Sequence, residues 1–76
     1  MSAKAQAKAV IVRGYRSVYE RNVGFRHVEE LIVSTVEELE KAISELERKR
    51  LFLNYSREDG TPITGRADDA KDYLRS

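Results

Sequence analysis

The chain of 76 residues has no cysteine, one histidine, one proline and four glycines. Without cysteine it can form neither a disulfide nor a thiolate metal site, and this absence is compatible with a reducing compartment. The only apolar run near the N-terminus is Val10 to Val12, far shorter than a signal-peptide core or a membrane span. We therefore expect a soluble protein that does not contact a membrane.

The composition is that of a small folded domain with a heavily charged surface, because 41% of the residues are hydrophobic and 36% are charged. Domains of this size usually gain stability from disulfides, a metal or a partner subunit. Without cysteine, docking on another protein or on copies of itself is the route that we expect.

The net charge of +1 hides a gradient along the chain. Residues 1–27 hold six basic residues against one glutamate, a net charge of +5, whereas residues 28–50 have a net charge of −3 and residues 51–76 a net charge of −1. Regions of opposite sign favour head-to-tail contacts between copies, or a partner with a complementary patch.

Two strands are predicted in the first half of the chain. "VIVRGYRSVY" (10–19) is rich in β-branched and aromatic residues, as strands are. Gly14 inside it indicates a bulge or a close approach by another backbone. "ERNVG" (20–24) has turn chemistry, and "FRHVEELIV" (25–33) follows as the second strand of an irregular hairpin.

Helix evidence is strongest at residues 35–49. A capping box is formed either by Ser34 with Glu37 or by Thr35 with Glu38. Apolar residues then recur at helical spacing, and they are Val36, Leu39, Ala42, Ile43 and Leu46.

After Arg50 the apolar residues become consecutive, which indicates a strand. Asp59-Gly60 is the commonest two-residue hairpin signal and predicts pairing of residues 51–58 with 61–64. Pro62 cannot donate a ladder hydrogen bond, so this last segment is expected to be an edge strand or a loop.

These elements predict an α+β fold: a small, mainly antiparallel sheet in the order β-β-α-β, with a fourth strand at an edge, one amphipathic helix on one face and a marginal C-terminal helix. We expect residues 1–9 to be a flexible arm, 10–65 a single domain, and 66–76 a tail or short helix. The predicted core is Ile32, Val36, Leu39, Ile43, Leu46, Leu51 and Leu53.

The sequence contains no recognisable catalytic or metal motif. His27 is the only histidine, and the aspartates at 68, 69 and 72 lack the glycine and ligand spacing of a calcium loop. No serine stands in a glycine-flanked elbow, and the isolated glycines form no phosphate loop. We therefore predict no enzyme activity, no metal, no cofactor and no small-molecule substrate.

One segment, "RGYRSVYERNVGFRH" (13–27), interleaves arginine with aromatic residues. Such a surface suits nucleic acid, because arginines bind phosphates and rings stack on bases. The same residue types are enriched at protein–protein hot spots. A pI of about 8.0 and seven nearby glutamates favour the protein partner. The predicted contact residues are Arg13, Tyr15, Arg16, Tyr19, Arg21, Phe25 and Arg26.

The run from "YERNVGF" through "ELIVSTVEELEKAISELERKRLFLNY" resembles small structural modules of tailed phages and prophages. "RHVEELIVSTVEELEKAISELE" (26–47) is similar to the strand-to-helix half of the lambda W-type head–tail joining proteins. That family begins with a longer helix, which "MSAKAQAKA" (1–9) does not match, and no functional residue carries over.

The resemblance implies a phage-type structural, connector or accessory protein that assembles with copies of itself or a larger protein, in a host cytoplasm or a virion. A phage-encoded inhibitor of a host enzyme or defence complex is one alternative. A small nucleic-acid-binding protein is the other.

Overall fold

The computed structural model describes residues 8–63 and 66–76. The elements are β1 (Val10–Tyr15), α1 (Val18–Val23), β2 (Glu29–Val33), α2 (Val36–Arg48), β3 (Phe52–Arg57), β4 (Pro62–Ile63) and α3 (Ala67–Arg75). The four strands form one sheet in the order β2-β1-β3-β4, and every neighbouring pair is antiparallel. The predicted α+β fold is confirmed, including the edge strand at Pro62 and the C-terminal helix.

The core lies between one face of the sheet and α2. Val10 and Val12 of the central strand β1 are fully buried, and their partners on β2 are Val33 and Leu31. Residues opposite each other in a ladder point to the same side, so all four face α2, which contacts β1, β2 and β3. The buried cluster is Val10, Val12, Val33, Leu39, Ala42, Leu46, Leu53, Tyr55 and Ala70.

The prediction that Ile32 belongs to this core is wrong. Its side chain is 67% exposed, because successive residues of a strand point to opposite faces and β2 turns Leu31 and Val33 towards α2. Ile32 pairs with Ile11 on the other side of the sheet, which neither α2 nor α3 covers. We call this side the open face.

The predicted strand at 10–19 ends at Tyr15, and the predicted turn at 20–24 is the larger part of α1. Ser17 caps this helix, since its side chain accepts a hydrogen bond from the Glu20 backbone N–H at 3.1 Å. Gly24 ends it in the left-handed conformation, with a φ of 68°. Local capping therefore overrides the strand propensity of this segment, and β2 begins only at Glu29.

Gly14 lies on the core face of β1 in a regular ladder, paired with Glu29 and Leu53, so it is not a bulge. A Cβ at this position would lie 2.8 Å from Leu51 Cδ1 and 3.1 Å from Leu51 Cβ. Neither predicted explanation is correct, because the close neighbour of Gly14 is the Leu51 side chain and not another backbone.

The hairpin between β3 and β4 has a three-residue loop, 58–60, where the sequence predicted a two-residue one. Gly60 donates to the Arg57 carbonyl at 2.9 Å, and Arg57 donates to the Thr61 carbonyl at 2.8 Å. Gly60 has a φ of 91°, as expected for a type I turn closed by a left-handed glycine. The resulting edge strand β4 has only two residues, and one of them is Pro62.

The C-terminal helix α3 packs Ala70 into the core and is tied to the other end of the chain. The Tyr73 hydroxyl donates to Glu58 Oε1 at 2.7 Å, and the Ala9 backbone N–H donates to the same carboxylate at 3.0 Å. These hydrogen bonds, that of Tyr73 first, lower the pKa of Glu58, and the same contact raises the pKa of Tyr73. Residues 1–7 of the predicted arm lie outside the described residues.

Both ends of α2 are capped, and the second of the two predicted capping boxes is the one that forms. Thr35 accepts from the Glu38 N–H at 3.0 Å, while Glu38 Oε1 accepts from the Ser34 N–H at 2.8 Å. At the other end, the Leu51 N–H donates to the Leu46 carbonyl, the long bond of a Schellman motif. This motif needs a left-handed residue, and Arg50 fills that position with a φ of 63°.

Replacing Arg50 with glycine is expected to stabilise the protein by about 0.5–1 kcal/mol, because glycine adopts the left-handed conformation without the Cβ penalty. The midpoint of thermal unfolding should rise by roughly 2–8 °C. The matched control is Arg48→Gly, which removes the same charge from the last residue of α2, where the backbone is right-handed, and should destabilise because glycine is a poor helix former. A destabilised Arg50→Gly variant would contradict the assignment of this cap.

Candidate protein-binding surface

The connection between β1 and β2, residues 16–28, presents most of the large apolar side chains that the described residues expose. Seven such side chains are exposed, and five of them belong to this connection: Val18, Tyr19, Val23, Phe25 and Val28. Helix α1, which lies inside it, buries none of its residues. Exposed apolar side chains that cluster in this way mark interaction sites on small domains.

Tyr19 and Phe25 are the most prominent members of this cluster, with 75% and 58% of their surface exposed. They stand at the two ends of the α1 region, and Val23 lies between them in the sequence at 52% exposure. Together with Ser17, Glu20 and Arg26 these three side chains line a cleft of about 640 Å³. This depression is wide open to solvent, unlike the enclosed pockets that hold small molecules, and so it suits contact with a protein surface or an extended segment.

Three arginines flank the apolar side chains. Arg16 and Arg26 are exposed and Arg21 is half-buried. Arg21 donates to the Asn22 side chain at 3.2 Å, and the Arg26 guanidinium lies 5.2 Å from the centre of the Phe25 ring, within cation–π range. Within residues 8–63 and 66–76, none of these arginines forms a salt bridge. Their charges are therefore available to carboxylates of a partner.

Together these six residues form what we call the α1 surface: Arg16, Tyr19, Arg21, Val23, Phe25 and Arg26. Five of them are among the contact residues predicted from the sequence. Val23 was not among the predicted contact residues. The signal that could have identified it is the capping pair Ser17 and Glu20, which marks the start of a helix. In a helix, Tyr19 and Val23 are four residues apart and therefore lie on one face.

Tyr15 is removed from the predicted contact surface. Only 1% of it is exposed, and its ring makes an edge-on contact with His27, with 6.3 Å between the ring centres. β1 ends at Tyr15, so this residue stays in the sheet opposite Phe52, while Tyr19 is carried away on α1.

Arg13 is also separated from the α1 surface. It lies on the open face of β1, opposite Glu30 of β2, and its Nε donates to that carboxylate at 2.9 Å. A partly exposed pair of this kind contributes little to stability. The guanidinium of Arg13, which we predicted to contact a partner, is nevertheless already paired with Glu30.

A second depression, of about 920 Å³, follows the outer side of α2. Its lining consists of polar and charged side chains: Thr35, Glu37, Glu38, Glu40, Lys41, Ser44, Glu45 and Arg48. A solvated charged helix face has this composition. The α1 surface is therefore the better candidate for docking, because it combines apolar side chains with unpaired charge.

In the described part of the chain, no group of three or more acidic or histidine side chains is placed to hold a metal ion. Its helices are also too short and too polar to cross a membrane. The chemistry that the α1 surface offers is non-covalent: aromatic and aliphatic contact, cation–π stacking and ion pairing. The resemblance to phage modules stays a prediction, since no family model, curated protein or solved structure matches this chain.

Proposed function

We propose that this chain is a non-enzymatic protein-binding module, whose α1 surface docks an acidic segment of a larger protein. The observation that carries the proposal is the concentration of exposed apolar side chains on residues 18–28, which comprise α1, a helix with no fully buried residue, and the segment that follows it. A six-residue helix is unstable alone, and α1 is held by its caps and by contacts with β1 and β3. The apolar side chains that stay exposed after this packing are the ones that a partner can cover.

Charge decides the kind of partner. Arg26 lies over the Phe25 ring, Arg16 and Arg21 belong to the same connection, and none of the three forms a salt bridge within the described residues. Glu20 is the one carboxylate that lines the cleft, so the arginines outnumber it and would attract and orient an acidic segment. Tyrosine, phenylalanine and arginine also dominate the binding energy of protein interfaces. The complementary segment therefore has carboxylates around one or two large apolar side chains, which would enter the cleft between Tyr19 and Phe25.

The biological setting that we propose follows the resemblance of residues 26–47 to phage connector modules. A structural or accessory component would use the α1 surface to join an assembly. An inhibitor of a host enzyme would use the same surface to cover its target, and the two roles differ in the identity of the acidic partner.

One observation favours nucleic acid as a second candidate. Tyr19 and Phe25 are exposed rings next to arginines, and such rings can stack on unpaired bases. This candidate predicts binding to a single-stranded oligonucleotide with an affinity that falls steeply as salt is raised.

The test is selection of peptides from a random library on the immobilised full chain, followed by affinity measurement in solution. We expect the selected peptides to be acidic and to share a large apolar residue. Tyr19→Ala and Arg16→Glu should each weaken their binding by about tenfold or more. Lys41→Glu, which makes the same charge change on α2, is the matched control and should leave the affinity unchanged.

Several results would count against this proposal. Peptides without acidic bias would contradict the charge argument. An affinity that Tyr19→Ala and Arg16→Glu leave unchanged would remove the α1 surface. Salt-sensitive binding of an oligothymidine probe, lost in Tyr19→Ala, would replace the protein partner with nucleic acid.

A further inference from the structure

The two edges of the sheet are protected very differently. At one edge, β4 has two residues and one of them is Pro62, which is how natural proteins prevent pairing with another strand. At the other edge, β2 has five residues, "EELIV", without proline, glycine or lysine. Among residues 8–63 and 66–76, no strand neighbours the outer backbone groups of β2, which is the first strand in the sheet order β2-β1-β3-β4.

From this asymmetry we infer that β2 pairs with β2 of a second copy, in antiparallel orientation, so that two four-stranded sheets join into one continuous sheet. The inference rests on the sheet edge and is independent of the proposed function, because α1 contacts β1 and β3 and carries the other surface.

Apolar side chains stand on both faces of the unprotected edge. Ile32 is 67% exposed on the open face, and Leu31 is half-buried on the core face, where it packs on the rim of the core. A neighbouring strand would cover both at once. Exposed apolar edges are the sites at which strands are added.

The charges of β2 do not prevent this pairing. Edge strands are often protected by charged side chains, and both glutamates of β2 are paired within their own chain. Glu29 accepts from Lys49 Nζ at 3.0 Å and Glu30 from Arg13 Nε at 2.9 Å. These partly exposed salt bridges weaken the charge of the edge without removing it, so pairing is possible in a register that keeps the glutamates of the two copies apart.

The two-fold symmetry of a dimer limits the register. A two-fold axis perpendicular to the sheet places the open faces of the two copies on the same side. Odd-numbered residues of β2 must therefore oppose odd-numbered residues of the partner, and even-numbered residues must oppose even-numbered ones. A register centred on Leu31 pairs the whole strand and places Ile32 opposite the partner's Glu30. A register centred on Glu30 would oppose two glutamates, which is unfavourable. One centred on Ile32 would involve Ser34, whose N–H already donates to Glu38.

A second copy is the occupant that these features favour over a foreign strand. When β2 of one copy pairs with β2 of the other, a single isologous contact provides hydrogen-bond partners for the outer backbone groups of both strands. The chain is also small and has no cysteine, and domains of this size commonly gain stability by oligomerisation.

Sedimentation velocity of the full chain, from roughly 1 µM to 500 µM, tests the inference by mass action. We expect a dimer that dissociates on dilution. Ile32→Glu should raise the dissociation constant by about tenfold or more, because it opposes the partner's Glu30. Thr61→Glu adds the same charge at the exposed turn next to β4 and should leave the dimer unchanged. Since Ile32 is exposed, both variants should keep their circular dichroism spectrum.

A single introduced cysteine gives a second readout, because the chain has no other thiol. In the register centred on Leu31, Leu31→Cys should cross-link as a dimer under mild oxidation much faster than Thr61→Cys. A wild-type chain that stays monomeric at every concentration would overturn the inference. So would a dimer that Ile32→Glu leaves intact, or one that Tyr19→Ala abolishes and Ile32→Glu does not, which would move self-association to the α1 surface.

Discussion

Replacing Tyr15 with alanine should lower the free energy of unfolding by about 3–5 kcal/mol, the usual effect of removing a large buried ring. The ring is 1% exposed and contacts His27. A chain of this length has a total stability of roughly 4–11 kcal/mol, so the substitution should remove a large fraction of it. Urea denaturation followed by circular dichroism measures the change.

Tyr19→Ala is the matched control for this substitution, since it removes the same side chain four residues later. Tyr19 is 75% exposed, so its loss should change stability by no more than about 0.5 kcal/mol. Two tyrosines with equal effects on stability would contradict the placement of Tyr15 in the folded body and of Tyr19 on its surface. The pair also separates stability from binding, because only Tyr19 is expected to affect partner affinity.

Gly14→Val should destabilise the protein by about 1–3 kcal/mol, the usual result of overpacking. The sign is informative because valine is a better strand former than glycine, so strand propensity taken alone predicts a gain in stability. The loss is expected because even a Cβ at Gly14 would meet Leu51 at 2.8 Å. Thermal and urea unfolding of the variant measure it.

A double-mutant cycle attributes this loss to the contact with Leu51. In a Leu51→Ala background, Gly14→Val should be less destabilising than in the wild-type background, because the clashing Cδ1 atom is gone. If the loss were the same in both backgrounds, Leu51 would not be the reason for glycine at this position. A stabilised Gly14→Val variant would refute the packing argument altogether.

The helix α2 was predictable from the sequence because its signals are local and agree with one another. The predicted range 35–49 and the observed Val36–Arg48 differ by one residue at each end. The capping box, the apolar stripe and the dipole-matched charges all act within a few residues of the helix. The β3–β4 hairpin was predictable for the same reason, because Gly60 indicates the turn and Pro62 indicates the edge strand.

Helix α1 was not predicted, although its signals were present. "VYERNV" is rich in β-branched and aromatic residues, so its composition favours a strand. The Ser17 cap and the left-handed Gly24 make this segment a helix. Six residues are too few for a helical pattern of apolar side chains to be recognised in the sequence. The Schellman cap after α2 was missed for a related reason, since Arg50 occupies a position where glycine is the usual signal.

The α+β class, the amphipathic helix α2, the edge position of Pro62 and the separation of basic and acidic segments could be predicted from residues that are close along the chain. The inward position of Leu31 and the outward position of Ile32 could not be predicted, and neither could the burial of Tyr15 or the exposure of Tyr19. Burial depends on which distant element covers a residue, and a shift of one residue in a strand reverses every side chain.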